Sequence, residues 1–328
     1  MRSLILSVVV LLGLLWPSFS HAQFYTGSQQ TFGKNRVQHE NFFWYYYRFD
    51  DYNIYFYAGG NQIAEYTARA TRRIKSDLER NFDYNIDDKI HFIVYNKIGQ
   101  YHQSNIDYVD EEFNTGGQTQ LSGNKVFLYY EGDYNKLDEQ IQRGLATIIM
   151  NKMMYGENWK EVIKNSALLS IPDWYVNGLV SYASRPWNAE VENRVIDGYT
   201  SKKYKRFNRL EGIDAEYAGH AIWRYIEEVY GSRVIPNIVY MARVSRNVES
   251  GFLFVLGISL KELIQNCADY YIEKSRLELE NREMPDLELT YKGKKRPLYR
   301  NLKKQPGGSK LAYVTNVLGR NRLYVYDT

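Results

Sequence analysis

Cysteine is all but missing. Cys267 is the only one in 328 residues, so no disulfide closes within the chain and no cysteine near its start is available for a lipid. Histidine is scarce. The five are His21, His39, His91, His102 and His220, and none has another three to five residues away, the spacing with which a helix aims two imidazoles at one metal. Beyond the N-terminal leader no run approaches the ~20 apolar residues of a membrane span. Strong net charge is lacking as well. The chain has 42 Lys and Arg against 38 Asp and Glu, a formal charge of +4, which gives no global electrostatic argument for nucleic acid or a membrane surface. Neither a Gly-x-Ser-x-Gly elbow nor a Gly-x-x-x-x-Gly-Lys phosphate loop occurs.

What is present begins with a leader. Arg2 gives a positive start, Leu4 to Trp16 an apolar core too short to span a bilayer, and Ser20-His21-Ala22 a small-residue cleavage site. Residues 1–22 therefore read as a cleaved signal peptide, whose removal lowers the charge by one. The remaining length allows one large domain or two modest ones. Tyrosine is abundant at 31 residues, and its recurrence at strand and helix spacing marks most of it as structural.

Residues 23–44 read as a polar lead-in. A strand is expected at Asn53–Tyr57, closed by Gly59-Gly60. An amphipathic helix is expected from Gln62 to Arg80 on the stripe Ile63, Tyr66, Ala70, Ile74 and Leu78. Further strands are expected at Lys89–Tyr95 and Lys125–Tyr130, with turns at Gly116-Gly117 and Ser122-Gly123. Asp110-Glu111-Glu112 reads as a solvated loop. After Gly132 helices dominate: Leu137–Met154, one opened by Pro172 through Ala183, Ala215–Tyr230 stopped by Gly231, Val234–Val244, and one capped by Ser259 and Glu262 running to Lys274. A small mixed sheet followed by a helical subdomain is an α+β arrangement. Residues 276–305, crowded with Lys292, Lys294, Lys295, Arg296, Arg300, Lys303 and Lys304, read as a basic linker. A β hairpin is expected beyond it, from Lys310–Thr315 and Arg322–Tyr326 around Gly319 and Asn321.

The order of these pieces, with Phe49-Asp50-Asp51 before the first strand and Ile171-Pro172-Asp173-Trp174-Tyr175-Val176-Asn177-Gly178-Leu179-Val180-Ser181-Tyr182 after the first long helix, resembles the peptidase-MA-like group of gluzincin metallopeptidases. The last stretch is similar to that family's Pro-x-Trp-x-x-Glu-Gly-Leu-Ala-x-Tyr segment. Tyr217-Ala218-Gly219-His220 and Leu256-Gly257 continue the likeness, which covers residues 45–275. The resemblance implies a zinc site built from His-Glu-x-x-His on the first long helix and a Glu from the second. Here Arg143-Gly144-Leu145-Ala146-Thr147 stands at the first motif and Asn177 at the second-helix Glu. Ligands and general base are absent, so no cofactor is expected. A shifted register, Asp138-Glu139-Gln140-Ile141-Gln142, imitates the spacing, but Gln is a poor zinc ligand. The vestigial positions Arg143, Gly144, Thr147 and Asn177, on a frame of Trp174, Gly178 and Tyr182, mark a candidate binding cleft beside the strand Lys125–Tyr130. Arg143 is expected either to meet a bound segment or to pair within the domain. Cys267 and His220 read as structural. The hairpin, from Pro306-Gly307-Gly308-Ser309-Lys310 through Tyr324-Val325-Tyr326-Asp327, is similar to one repeat of a TolB-like β-propeller, which makes residues 306–328 the start of such a domain.

The functional expectation is a non-catalytic interaction or scaffold protein, exported to the periplasm or outer membrane of a Gram-negative envelope and holding an envelope protein partner. A carbohydrate- or peptidoglycan-binding module and a metallopeptidase with atypical ligands are the alternatives. A peptide or glycan ligand fits these readings, and nucleic acid does not. Export gives the first prediction: N-terminal sequencing of the secreted protein should start at Gln23, and a soluble cytoplasmic chain that keeps Met1 would refute it.

Overall fold

The computed structural model describes residues 40–104, 124–156, 171–280, 298–317 and 320–327. The leader, most of the lead-in, the turns at Gly116-Gly117 and Ser122-Gly123, the acidic loop at Asp110, the cationic run Lys292–Arg296 and Gly319 lie outside the described residues. The chain is α+β and divides into two units, Met1–Glu278 and Leu279–Thr328.

A four-stranded mixed sheet opens the first unit. β1 (Tyr45–Arg48) pairs antiparallel with β2 (Tyr52–Phe56), while β2, β3 (Ile90–Tyr95) and β4 (Lys125–Tyr129) run parallel. Parallel neighbours cannot be joined by a tight turn, and α1 (Asn61–Phe82) makes the crossover from β2 to β3. It buries Ile63, Ala70, Ile74 and Leu78 as their spacing predicts. A single helical turn, α2 (Ile98–Tyr101), follows β3. Both sheet faces are covered, which explains why β3 is almost continuously apolar. Ile54, Phe92, Val94, Val126 and Leu128 belong to the main core, and Tyr57, Ile93, Tyr95 and Phe127 form a second cluster with Tyr101. The sequence reading lacks β1 because three of its four residues are exposed and carry no alternation.

The helical part starts with α3 (Tyr134–Tyr155), whose N-terminus is capped by the Asp133 carboxylate accepting from the Asn135 N–H at 2.8 Å. α4 (Asp173–Ser184), α5 (Ala189–Thr200), a 3₁₀ segment (Lys203–Arg209), α6 (Gly212–Tyr230), α7 (Val234–Ser245), α8 (Val248–Leu256) and α9 (Leu260–Leu279) complete it. The sequence reading has no α5, 3₁₀ segment or α8. In α5 only Val191, Val195 and Gly198 are buried, too few for a helical stripe to stand out. Ser259 caps α9 as expected, its Oγ accepting from the Glu262 N–H at 3.2 Å.

Glycines set the closest approaches. A Cβ on Gly144 would lie 2.4 Å from Val126 Cγ1, so α3 sits tightly on β4. At the crossing of α4 and α6, a Cβ on Gly178 would lie 2.4 Å from the Gly219 Cα, and one on Gly219 only 1.9 Å from the Trp174 carbonyl oxygen. Trp174, Tyr175, Trp223 and Phe252 pack around this crossing with ring centroids 5.1 to 6.1 Å apart.

The second unit is a three-stranded antiparallel sheet of β5 (Leu298–Lys304), β6 (Lys310–Val317) and β7 (Arg320–Asp327). This corrects the linker expected over 276–305, since α9 extends to Leu279 and β5 occupies its other end. A register shift between Arg300 and Lys303, with Asn301 at φ 55°, breaks the period of two by which β5 would be recognised. Asn321 is a strand residue rather than a turn residue, and its Oδ1 accepts from Asn316 Nδ2 at 2.9 Å.

The crossing generates a test. Gly219→Ala forces a methyl into backbone and is expected to lower the unfolding free energy by about 3 kcal/mol. Gly99→Ala, which meets nothing within 4 Å, should change it by less than about 1 kcal/mol. Denaturant titration of both variants checks the difference, and equal midpoints would refute a tight crossing.

Candidate functional site

The α3 positions Arg143 and Thr147 stand one turn apart, and the Thr147 hydroxyl donates back to the Arg143 carbonyl at 2.8 Å. Gly144, on the neighbouring stripe, is consumed by the contact with β4. Arg143 pairs within the domain. Its guanidinium donates from both terminal nitrogens to the two Glu216 oxygens of α6, at 3.0 and 2.9 Å. That is the bidentate geometry in which Arg–carboxylate pairing is strongest. Arg185, just past α4, lies 3.5 Å from the same carboxylate. Asn177 is exposed on α4, and no hydrogen bond joins it to Arg143 or Thr147. Three of the four candidate positions thus share α3, and the fourth stands apart from their bonds.

Other expected groups are also engaged. Asp138 pairs with Arg73 of α1 at 2.7 Å, and Gln142 donates to the Ala183 carbonyl at 2.6 Å. The shifted register therefore gathers no ligand set. No group of three or more His, Cys, Asp or Glu able to hold a metal forms among the described residues. The β4 edge beside the candidate cleft is occupied at Tyr129, where the Gln140 amide donates to the carbonyl at 2.9 Å and accepts from the N–H at 3.0 Å. Trp174 is fully buried and donates to Asn208 Oδ1 at 3.1 Å. Tyr182 is half-buried on the wall of a cavity of about 290 Å³ that also takes in His220, Trp187, Arg185 and Arg224. Cys267 is buried beside Tyr199, and burial pushes its thiol up to about 12, far from a thiolate nucleophile.

His220 lies one helical turn beyond Glu216. Its Nδ1 is 3.1 Å from Ser181 Oγ, a pairing that invites comparison with a nucleophile and its base. Ser181 is wholly buried, and the Glu216 carboxylate faces Arg143 and the Ser181 hydroxyl rather than accepting from the imidazole, so the three groups do not stand in the acid–His–Ser order of a relay. Burial, and next the Arg185 charge, hold His220 down at about 4, making it a neutral imidazole at ordinary pH. For Glu216, burial acts upward, but the hydrogen bond and charge of Arg143 and the charge of Arg185 bring its carboxyl below the usual value.

No protein-family model matches the chain, and no curated protein does.

Glu216 is the residue that sequence reasoning missed. The available signal is an acid set within Ala215–Trp223, a stretch of α6 buried on every side. A charge there must be paired.

Two pH windows follow. Glu216 is depressed relative to 4.5, so its stabilisation is complete above that value and is lost as pH falls through the lower folded-state value. His220 is depressed from 6.5 to about 4. The unfolded chain therefore takes up this proton first, and stability falls as pH drops from 6.5 towards 4. Denaturation midpoints measured against pH should lose the upper window in His220→Gln and the lower one in Glu216→Gln. Near neutral pH, Glu216→Gln should also cost roughly 3 kcal/mol, while Arg143→Met combined with Glu216→Leu restores most of it. A double variant as unstable as the single one would overturn the ion-pair account.

Proposed function

We propose that the chain is a non-catalytic interaction module of the bacterial envelope, exported by its leader and built on a zinc-peptidase-like frame whose reaction centre has been replaced by structure. The observation that carries this reading is the Arg143–Glu216 pair. At the place where the resemblance puts the first zinc ligand, a guanidinium is held by both of its terminal nitrogens. Such a group is charged at every accessible pH and opposes a metal cation. The neighbouring place, that of the general base, belongs to Gly144, which has no side chain to offer and no room for one.

Gly178 and Gly219 lend support from the frame. They let α4 and α6 touch, so a zincin-like scaffold can persist by packing alone. The second unit is proposed to be a propeller-like repeat. Supporting this, the apolar Leu302, Leu323 and Val325 are 67, 70 and 65 % exposed on a three-stranded sheet, the kind of surface that neighbouring β structure covers.

Metal analysis of untagged mature protein should find well under one zinc per chain, and peptide mixtures should stay uncut. One tightly held zinc together with chelator-sensitive cleavage would sink the proposal.

A further inference from the structure

The 3₁₀ segment Lys203–Arg209 and the first turns of α9 border an open groove of about 660 Å³. Lys205, Arg206 and Arg209 line it from one side and Lys261 from the other, all four exposed. Among the described residues none of the four forms an ion pair. Other described cations are matched, among them Arg73 with Asp138, Arg224 with Glu227 and Glu228, and Lys274 with Glu192. Between the cations Leu260 and Ile264 give the groove an apolar floor.

We infer that this groove binds an acidic, extended segment of a partner protein, its carboxylates on the cationic walls and its aliphatic side chains on the floor. The inference rests on the reading of the chain as an interaction module and names the chemistry of what it holds. Three observations favour a peptide over other polyanions. Glu249 also lines the groove, and a carboxylate there repels a uniformly anionic lipid or nucleic acid surface but not a segment that places an amide or a cation opposite it. Leu253, one turn beyond Glu249 on α8, is 49 % exposed and extends the apolar contact past the groove. The aromatic residues of the 3₁₀ segment, Tyr204 and Phe207, are only 5 and 4 % exposed, so even Phe207, which lines the groove, offers no open ring face on which bases could stack.

The test is a fluorescence-anisotropy titration of the mature protein with a short labelled peptide alternating Glu and Leu, alongside its counterpart alternating Gln and Leu. The Glu peptide should bind more tightly, with an affinity that falls as salt rises. Arg206→Glu combined with Arg209→Glu should weaken it by at least about tenfold, and Glu249→Lys should strengthen it. Should the double variant fold poorly, Lys261→Glu, on a different element, must still weaken binding with an unchanged melting curve. Equal affinity for the two peptides, or an effect of charge reversal below about twofold, would overturn the inference. So would preferential binding to phosphatidylcholine vesicles containing phosphatidylglycerol, or to a single-stranded oligonucleotide. Zinc-dependent proteolysis, by contrast, would refute the non-catalytic reading and leave this titration standing.

Discussion

Where α4 crosses α6 the two backbones touch, and the geometry of the helical part depends on that contact. Gly178 and Gly219 have no Cβ, and each lies where a methyl would enter the other helix. The offsets from this point place the polar groups. Glu216 precedes Gly219 by one turn and reaches Arg143 on α3. Ser181 follows Gly178 by one turn and meets His220, the residue after Gly219. With larger residues at the crossing the helices would separate, and both pairings would lose their hydrogen-bond distances.

Burying a charged pair has a desolvation cost, and a bidentate pair in a partly buried setting roughly offsets it. The Arg143–Glu216 bridge therefore adds little net stability over an apolar pair of the same volume. What it supplies is discrimination. Any register of α3 against α6 other than the observed one leaves a carboxylate and a guanidinium unmatched away from water, at several kcal/mol. The bridge closes a triangle in which α4 is fixed to α6 by glycine contact, and α3 is fixed to α4 by the Gln142 amide on the Ala183 carbonyl. Three helices are thereby held by three kinds of interaction, each specific to one interface.

The helix and strand order was legible wherever one periodicity dominated. α1 shows its stripe and β3 a run broken only by His91, and the ends of both came within about two residues. Elements went unread where the buried share was small, as in α5 and β1, or where a bulge reset the period, as in β5. The site was legible only in part. Positions at which metal ligands are wanting are visible in a sequence, because the resemblance asks for such side chains where Arg143 and Asn177 stand. What replaces them is not visible, because Glu216 is 73 residues away from Arg143 along the chain and nothing local announces the pair. An acid within the mostly apolar stretch Ala215–Trp223 was the one available cue, and it names a charge in need of a partner without naming the partner.

The two sets of cations contrast in a way that bears on function. Arg143 is partly buried and its charge is answered within the domain. Lys205, Arg206, Arg209 and Lys261 are exposed, close in space and unanswered among the described residues. Like charges gathered around one groove repel one another and weaken the folded state, modestly in water and more where an apolar floor lowers the local dielectric. Mixed surface charges relieve such repulsion in most domains, and this chain, with nearly as many acids as bases, has the means to do so. Among the described residues lining the groove Glu249 is the one carboxylate, too few to neutralise four cations. The surroundings of Arg143 are electrostatically closed and the groove is electrostatically open. An anionic partner segment would gain from the groove the pairing that the domain has already completed around Arg143.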